Sequence, residues 1–424
     1  MFRLLRFGVV SCGAALVVLL LAIPGRAQEI LPRRLTLQQA LDEAIARSPV
    51  LRARQAEVEK ARARMITART YPFDPEIEVW AADRDAAEGS STDRGVELGQ
   101  EIELGGKRRR RVALSRAKLD ATEARLRREE RLLAAQVEVA FVEALRAREL
   151  LDVEQANIEL ARTLAAVARK RLERGAATQI EVNLALAQMG RDERTFYLAE
   201  GAHSQARAFL AETIGLDPID PPEAAGELAA PPLSLPSLTE LVGTALESRE
   251  DLRSLRYTLR AAQAQRKVAK REVVPDLHLG AFYEKEEGTD RIVGAAVGIR
   301  IPIFNRNRGA IAEAEAGERQ AQAEGEAAEN RVRQEVASAV SRYEAAASSA
   351  QGFKLVIGNL RENLDLLQRS LEAGKIGWAE ILVFRRAFTE AQRDYVDTLA
   401  DARFASIELE LASGLDLAAL QEEE

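Results

Sequence analysis

The sequence predicts a mainly α-helical fold with a smaller β component, in which one helix–strand–strand–helix unit occurs twice. Three observations predict this fold class. Charged residues form 30% of the chain and aromatic residues 5%, which is typical of long helices rather than compact cores. Matching residues recur at a fixed offset in the two halves, and each half contains strand-like alternation between helical segments.

The duplication extends along most of the chain. Paired residues lie 199 to 201 positions apart, and an offset this constant is not explained by coincidence between unrelated helices. The pairs include Leu37 with Leu238, Ala44 with Ala245, Ala81 with Ala281, Val137 with Val336, and Glu181 with Glu380. We therefore predict a first repeat at residues 28–217 and a second at 237–416. Between them, residues 218–236 contain six prolines and form a linker.

The N-terminal segment, residues 1–27, has the layout of a cleaved secretory signal. Two arginines precede an apolar stretch from Phe7 to Ile23, and Pro24 ends it. A membrane-anchoring helix is the alternative, but the apolar stretch is shorter than the about 20 residues that such a helix needs. Cys12 lies within the apolar stretch and not at its end, so we do not expect acylation there.

Charge and cysteine content exclude several classes of protein. Cleavage after residue 27 would leave 57 basic residues against 67 acidic ones, a net charge of −10. A nucleic-acid partner is therefore not expected. Cys12 is the only cysteine, so the mature chain has no thiol for a disulfide or a metal site. The chain ends in an acidic tail at residues 417–424.

Each repeat is predicted to contain the same elements in the same order. Helices near Leu35–Arg47 and Pro49–Arg69 precede two strands, a long helix and a shorter returning helix. The long helix runs from Lys107 to about Arg174 without proline or glycine, and at about 1.5 Å per residue it would reach roughly 100 Å, a length that suits a coiled-coil wall. Its counterpart runs from Arg308 to about Ala373.

Each long helix is followed by a glycine, Gly175 in the first repeat and Gly374 in the second. Glycine adopts the left-handed backbone conformation that commonly ends a helix. We therefore expect a helical hairpin to turn at each of these two positions.

The strand segments alternate with a period of two residues. Val96, Leu98 and Ile102 alternate with Glu97 and Glu101, which gives one apolar and one acidic face. Strands of a transmembrane barrel have this pattern, and so does a soluble hairpin with one buried face. The flanking helices are too long to fold back over the apolar face, which favours the barrel.

Two segments at the predicted turns, Arg171–Val182 and Ser370–Ile381, resemble the outer-membrane efflux protein family typified by TolC, as does the order of elements in each repeat. The resemblance covers essentially the whole mature chain. It implies a homotrimer whose chains each give four strands to one 12-stranded outer-membrane β-barrel, continued by a periplasmic α-helical tunnel. It places the protein in the outer membrane of a Gram-negative bacterium, in contact with lipid and extending into the periplasm.

The resemblance also implies roles for single residues. Glu181 and Glu380 would line the periplasmic entrance as a cation-attracting ring; a solvated helix surface is the alternative. One helical turn further, where the family often has a second acidic residue, this chain has Leu184 or Val383. The barrel lumen would contain Glu97, Glu101 and Glu103. A periplasmic adaptor would contact the turns at Gly175, Ala176, Thr178, Gly374, Lys375 and Gly377.

Within the family, Gln100–Arg108 and Leu35–Ile45 look most like outer-membrane components of cobalt-zinc-cadmium or copper resistance systems. This implies a passive exit duct for heavy-metal cations, driven by an inner-membrane RND-type pump. The same channel serving drug export or protein secretion is one alternative. A periplasmic coiled-coil adaptor or scaffold is another, although such proteins normally lack paired strands between their helices.

The sequence predicts no enzyme, no cofactor and no metal site. No nucleophile elbow, phosphate-binding glycine loop or zinc-protease motif occurs. The residues His203, His278, Met65 and Met189 lack the spacing of metal ligands. The basic run Lys107–Arg111 directly follows a strand, so we expect it at the junction of barrel and tunnel, facing lipid headgroups or acidic neighbours.

Overall fold

The computed structural model describes residues 34–86, 89–231, 234–286, 290–372 and 377–415. The predicted signal at 1–27, the tail at 417–424, Gly374 and Lys375 lie outside these ranges. The helices are α1 (Leu37–Arg47), α2 (Pro49–Arg69), α3 (Lys107–Glu173), α4 (Gln179–Thr213), α5 (Leu238–Ser248), α6 (Glu250–Arg271), α7 (Arg308–Glu372) and α8 (Trp378–Ser413). The strands are β1 (Arg34–Leu35), β2 (Glu76–Ala86), β3 (Gly89–Ile102), β4 (Glu223–Ala224), β5 (Leu277–Glu286) and β6 (Asp290–Ile299).

The order of elements confirms the predicted duplication. Each half contains two short helices, a pair of strands, a long helix and a returning helix. The first helix cap is repeated as well, because Thr36 with Gln39 and Ser237 with Glu240 both form capping boxes. In each box the two residues exchange hydrogen bonds that satisfy N–H groups left unpaired at a helix start.

The start of the first helix differs from the prediction. Leu35 belongs to β1, which pairs in parallel with β4, and its carbonyl accepts a hydrogen bond from Ala225 N at 2.8 Å. The helix begins only at Leu37, because the side chain of Thr36 caps it by accepting a hydrogen bond from Gln39 N. The strand pairing buries Leu35 in the largest core.

The proline-rich segment after α4 packs along α3. Arg148 donates a hydrogen bond to the carbonyl of Ala224 at 2.8 Å, and the carboxylate of Glu149 accepts one from Leu228 N at 2.9 Å. The side chain of Leu228 is buried in the same core as Leu35. These contacts hold the segment between the repeats against the first long helix.

The long helices have 67 residues in α3 and 65 in α7, so each reaches about 100 Å. Gly175, two residues after the end of α3, has a φ of 70°, which confirms the left-handed turn predicted there. Within the described ranges, no helix has a stretch long and apolar enough to cross a membrane.

Four strands form one antiparallel sheet in the order β2-β3-β5-β6. Because β3 pairs with β5, the hairpins of the two repeats lie side by side in this sheet. One face is apolar and exposed in the single chain, where Ile77, Val79 and Val293 are 69%, 74% and 80% exposed. We call this the outer face. The opposite, inner face contains Glu97 and Glu101.

Among the described residues, four apolar cores hold the helices together, and the smallest packs α2 against α3 around Val58 and Leu119. The largest joins α1, α3, α4, α7 and α8 with β1 and β4 around Val137 and Leu210. A second core joins α5, α6, α7 and α8 around Leu241 and Val336. The third is small and joins α3, α4 and α8 around Ile381, so it lies where the helical hairpins turn.

Candidate functional site

The turn between α3 and α4, which we call the first tip, is built by backbone hydrogen bonds. Gly175 N donates to the carbonyl of Leu172 at 2.9 Å, and Ala176 N donates to that of Arg171 at 2.8 Å. Helices that end in a left-handed glycine use such bonds to satisfy their last carbonyls. Thr178 then caps α4 by accepting a hydrogen bond from Glu181 N.

The turn between α7 and α8 is the second tip, and its described part begins at Gly377. The Oε2 atom of Glu380 accepts a hydrogen bond from Gly377 N at 3.0 Å, so Glu380 stabilises the start of α8. Glu181 has the equivalent place in α4, third after its cap residue. A carboxylate in the first turn is also favoured by the positive end of the helix dipole.

The structure brings the two predicted entrance glutamates to one small core. Val182, directly after Glu181, is 4% exposed, and Ile381, directly after Glu380, is 2% exposed. Both belong to the same apolar cluster, together with Leu164 of α3. The glutamates therefore border the same core from two different helices. Glu380 is exposed and Glu181 is half-buried.

Apolar side chains follow the glutamates on the same helices. Leu184 is 43% exposed and Val383 is 72% exposed. An open cavity of about 500 Å³ is lined by Glu380, Val383, Phe384 and Ala387. Each glutamate thus has an exposed apolar residue three positions further along its helix.

A row of polar contacts on α8 was not predicted from the sequence. Arg385 pairs with Asp192 of α4, Thr389 donates a hydrogen bond to Asn157 of α3 at 2.9 Å, and Arg393 pairs with Glu154 of α3. The three α8 residues lie four positions apart and so share one helix face. We call these three pairs the α8 polar row.

The α8 polar row lies mostly out of contact with solvent. Arg385, Asn157 and Glu154 are each 3% to 4% exposed, and the hydrogen bonds to Glu154 raise the pKa of Arg393. A cavity of about 630 Å³ runs beside the row. Its only sequence signal is the spacing of 385, 389 and 393, which does not identify partners on two other helices.

The acidic strand residues have different surroundings. Glu97 lies over Gly280, where an added Cβ would be 2.8 Å from its Oε1, and Glu101 is opposite His278 in the register of β3 with β5. Both are on the inner face. Glu103 lies just beyond the end of β3, pairs with Arg111, and accepts a hydrogen bond from Arg108 N at 3.1 Å. It thus fixes the start of α3 to the sheet.

The basic run at the start of α3 meets acidic neighbours. Lys107 Nζ is 2.7 Å from Asp276 Oδ2, and both side chains are largely buried. Leu104 N also donates a hydrogen bond to Asp276. These contacts join the first repeat to Asp276, the residue directly before β5 of the second repeat, at the end of the sheet where the helices begin.

The two histidines lie in separate elements. His203 is on α4, and burial together with the charge of Arg207 lowers its pKa. His278 is on β5, where its ring approaches Gly99. In the part of the chain that the structure describes, no group of three or more histidine, cysteine or acidic residues could hold a metal ion.

Comparison with known protein sequences finds the same duplication. The outer membrane efflux protein family matches residues 40–216 and 241–415, one match in each repeat. Protein CyaE of Bordetella pertussis is 28% identical, with 90% of this chain and 84% of CyaE covered. The cobalt-zinc-cadmium resistance protein CzcC of Cupriavidus metallidurans is 26% identical, with 90% of both chains covered.

Solved structures share the fold. The outer membrane protein VceC of Vibrio cholerae superposes with a TM-score of 0.70 at 20% identity, over 89% of this chain and 96% of VceC. The match spans nearly all of both chains. The duplicated helical and strand architecture is therefore that of VceC.

Proposed function

Because this chain belongs to the outer membrane efflux protein family, we propose that it is the exit duct of a tripartite system for heavy-metal cations. The protein is an efflux channel of the outer membrane and extends into the periplasm. In the proposed system, an inner-membrane RND-type pump drives transport and a periplasmic adaptor joins the pump to this channel. The chain itself binds no cofactor and provides a passive route.

The observation that carries the proposal is the arrangement of Glu181 and Glu380 beside one core at the tips. In a homotrimer, three copies of each place six carboxylates around a narrow entrance. A ring of carboxylates raises the local concentration of cations and favours their passage over that of anions. Leu184 and Val383 would form an apolar constriction one turn further, which restricts water and ions in the closed state.

The homotrimer is supported by the sheet. In the described chain, β2 and β6 are its edge strands, and open edges invite pairing with another chain. The exposed outer face has the apolar character of a lipid-facing surface. Three chains of four strands would pair edge to edge into a closed barrel, with Glu97 and Glu101 directed into its lumen.

The adaptor surface is supported by exposure at the tips. Gly175, Ala176 and Thr178 are exposed at the first tip, and Gly377 is exposed at the second. Gly374 and Lys375 belong to the same proposed surface by their place in the sequence. This surface lies at the end of the long helices, away from the sheet, where a periplasmic partner would reach it.

Heavy-metal cations are the proposed cargo for two reasons. The entrance carboxylates attract cations, and the relative CzcC is named for resistance to cobalt, zinc and cadmium. The chain needs no ligand set for this role, because a duct conducts an ion without coordinating it tightly.

Growth of a deletion strain tests the proposal. Without this gene, cells should become sensitive to zinc, cobalt, cadmium or copper, and the wild-type chain should restore growth. The combined variant Glu181→Gln with Glu380→Gln keeps an acceptor for each cap but removes six charges per trimer, so it should restore less metal resistance. Glu173→Gln, an exposed change on α3 near the first tip, is the matched control.

Two results would contradict the proposal. A deletion strain sensitive only to dyes and antibiotics would assign the channel to drug export. Equal metal resistance with the double variant and the control would show that the entrance glutamates do not contribute to metal export.

A further inference from the structure

Three basic residues form one row across the outer face of the sheet. Arg94 of β3 is directly opposite Lys285 of β5, and Lys285 is directly opposite Arg291 of β6. All three side chains are exposed. Because alternate residues of a strand face the same side, they share this face with the apolar side chains of Val96 and Tyr283. We call these three residues the basic row.

Within the described strands, the basic row has no ion-paired carboxylate. Like charges directly opposite each other in an antiparallel sheet have Cβ atoms about 5 Å apart and destabilise the pairing. Among the described residues, no carboxylate forms an ion pair with any of the three. On the same face Asp83 is diagonal to Arg94, and its carboxylate accepts a hydrogen bond from Thr92 at 3.0 Å. The fourth position of the row is Ala81.

The basic row borders the apolar part of the outer face. The next row towards the helices consists of Val79, Val96, Tyr283 and Val293. From there the apolar face continues for six residues to Ile299, a distance of about 20 Å along the strand. On the other side of the basic row, the strands run only a few residues further before each hairpin turns.

The level of the basic row in the membrane follows from the helices. They leave the sheet at the end where β3 is joined to α3, which is the end opposite the hairpin turns. With the helices in the periplasm, the hairpin turns face the outside of the cell. The basic row then lies at the outer boundary of the apolar band, at the level of the lipid headgroups in the outer leaflet.

We propose that the basic row binds the phosphate groups of the anionic glycolipid of the outer leaflet. An arginine fork donates two parallel hydrogen bonds to a phosphate, and a lysine contributes a point charge. With neighbouring strands about 4.8 Å apart, one phosphate can accept hydrogen bonds from two adjacent members of the row. The lipid supplies the countercharge that the sheet lacks, and its acyl chains cover the apolar rows beside Tyr283.

Titration of the full-length channel in detergent tests this proposal. The probes are diphosphoryl lipid A and dephosphorylated lipid A, at an ionic strength of about 0.15 M. The wild type should bind the phosphorylated form more tightly. The combined variant Arg94→Gln, Lys285→Gln and Arg291→Gln should bind it about 10- to 100-fold more weakly.

A matched control removes the same charge elsewhere. The combination Lys60→Gln, Arg331→Gln and Arg333→Gln changes three exposed basic residues on helices and should bind diphosphoryl lipid A like the wild type. The variant Ala81→Glu keeps the basic row intact and places a carboxylate opposite Arg94. It should also weaken binding, and because it improves the charge balance of the sheet it should not impair folding.

Several outcomes would overturn the proposal. The site would be excluded if the wild type bound diphosphoryl and dephosphorylated lipid A with equal affinity. It would also be excluded if the triple variant and Ala81→Glu both bound diphosphoryl lipid A as tightly as the wild type. Inorganic phosphate binding as tightly as lipid A would identify a free-anion site instead. The inference rests on the proposed membrane orientation and not on the metal cargo. A wild-type chain that forms no conducting channel in a planar bilayer would contradict the membrane insertion on which that orientation depends, whereas a failed metal-resistance assay would leave the lipid titration unaffected.

Discussion

Arg393 of α8 holds Glu154 of α3 through two parallel hydrogen bonds, from Nε to Oε1 and from Nη2 to Oε2. The two residues are 239 positions apart, one in each repeat. Glu154 is 3% exposed, so its carboxylate depends on this partner for the solvation that water would otherwise provide. The pair therefore fixes the long helix of the first repeat to the returning helix of the second.

Replacing Arg393 by alanine should destabilise the folded chain by about 2 kcal/mol, because it leaves a buried carboxylate without its partner. The measurement is the midpoint of thermal unfolding of the purified protein. Arg386→Ala removes an exposed arginine from the same helix and should change the midpoint little. If both variants unfold at the same temperature as the wild type, the pair contributes no stability. In an Arg393→Ala background, Glu154→Gln should recover part of the loss.

The repeats, the strands and the first tip could be predicted because their signals are local. Alternation at Val96 and Leu98 identifies a strand within a few residues, and Gly175 marks a helix end by its own conformational freedom. The pairing of β1 with β4 could not be predicted, because each strand has two residues and shows no period. The sequence pattern therefore places Leu35 in the helix that follows it.

The α8 polar row can be identified only from the three-dimensional packing of the helices. Arg385 and Arg393 have the spacing of many exposed charges on a helix, and their partners lie on α4 and α3. Sequence pattern gives each helix its faces but not the rotation of one helix against another. For the same reason, the sequence predicted Glu181 and Glu380 as equivalent residues of the two repeats, while their position beside one core became visible only in the fold.

Introducing acidic residues at Leu184 and Val383 should increase cation selectivity. In the proposed trimer, Leu184→Asp with Val383→Asp adds six carboxylates one helical turn from the entrance glutamates and replaces an apolar constriction by a charged one. Both positions are exposed in the chain, so folding should be maintained. The measurement is conductance and reversal potential in a planar bilayer under a salt gradient. Leu198→Asp, 59% exposed on α4 and farther from the tip, is the control. If the double variant and Leu198→Asp shifted the reversal potential equally, the change would reflect added negative charge in general and not its place near the entrance.

Replacing Glu149 by glutamine should reduce the pH dependence of stability. Burial raises the pKa of Glu149, although the N–H of Leu228 and the charge of Arg148 act in the opposite direction. The folded chain thus holds this proton more tightly than the unfolded chain, so its contribution to stability falls as pH rises from the ordinary glutamate pKa to the raised one. Glutamine keeps an acceptor for Leu228 N and cannot ionise. Unfolding midpoints between about pH 4 and pH 8 should therefore fall less with rising pH in Glu149→Gln than in the wild type. Glu173→Gln, which changes an exposed glutamate, should follow the wild-type curve.

Small residues at two strand positions should be required for assembly of the sheet. On the inner face, Trp80 is opposite Gly95 and Phe282 is opposite Gly294, so each repeat packs an aromatic ring over a glycine of the neighbouring strand. A Cβ at either glycine would overlap the ring, and overpacking of this kind typically costs about 1 to 3 kcal/mol.

Gly95→Ala and Gly294→Ala should each lower the yield of assembled channel and its thermal stability, measured by gel mobility of unheated samples and by the unfolding midpoint. Gly298→Ala is the matched control on the same strand as Gly294, because its added methyl group would make ordinary contact, 3.6 Å from His278. Assembly of the Gly294 variant equal to that of the Gly298 variant would show that the ring moves aside at little cost. Recovery of assembly when Phe282→Leu is combined with Gly294→Ala would identify the ring contact as the cause.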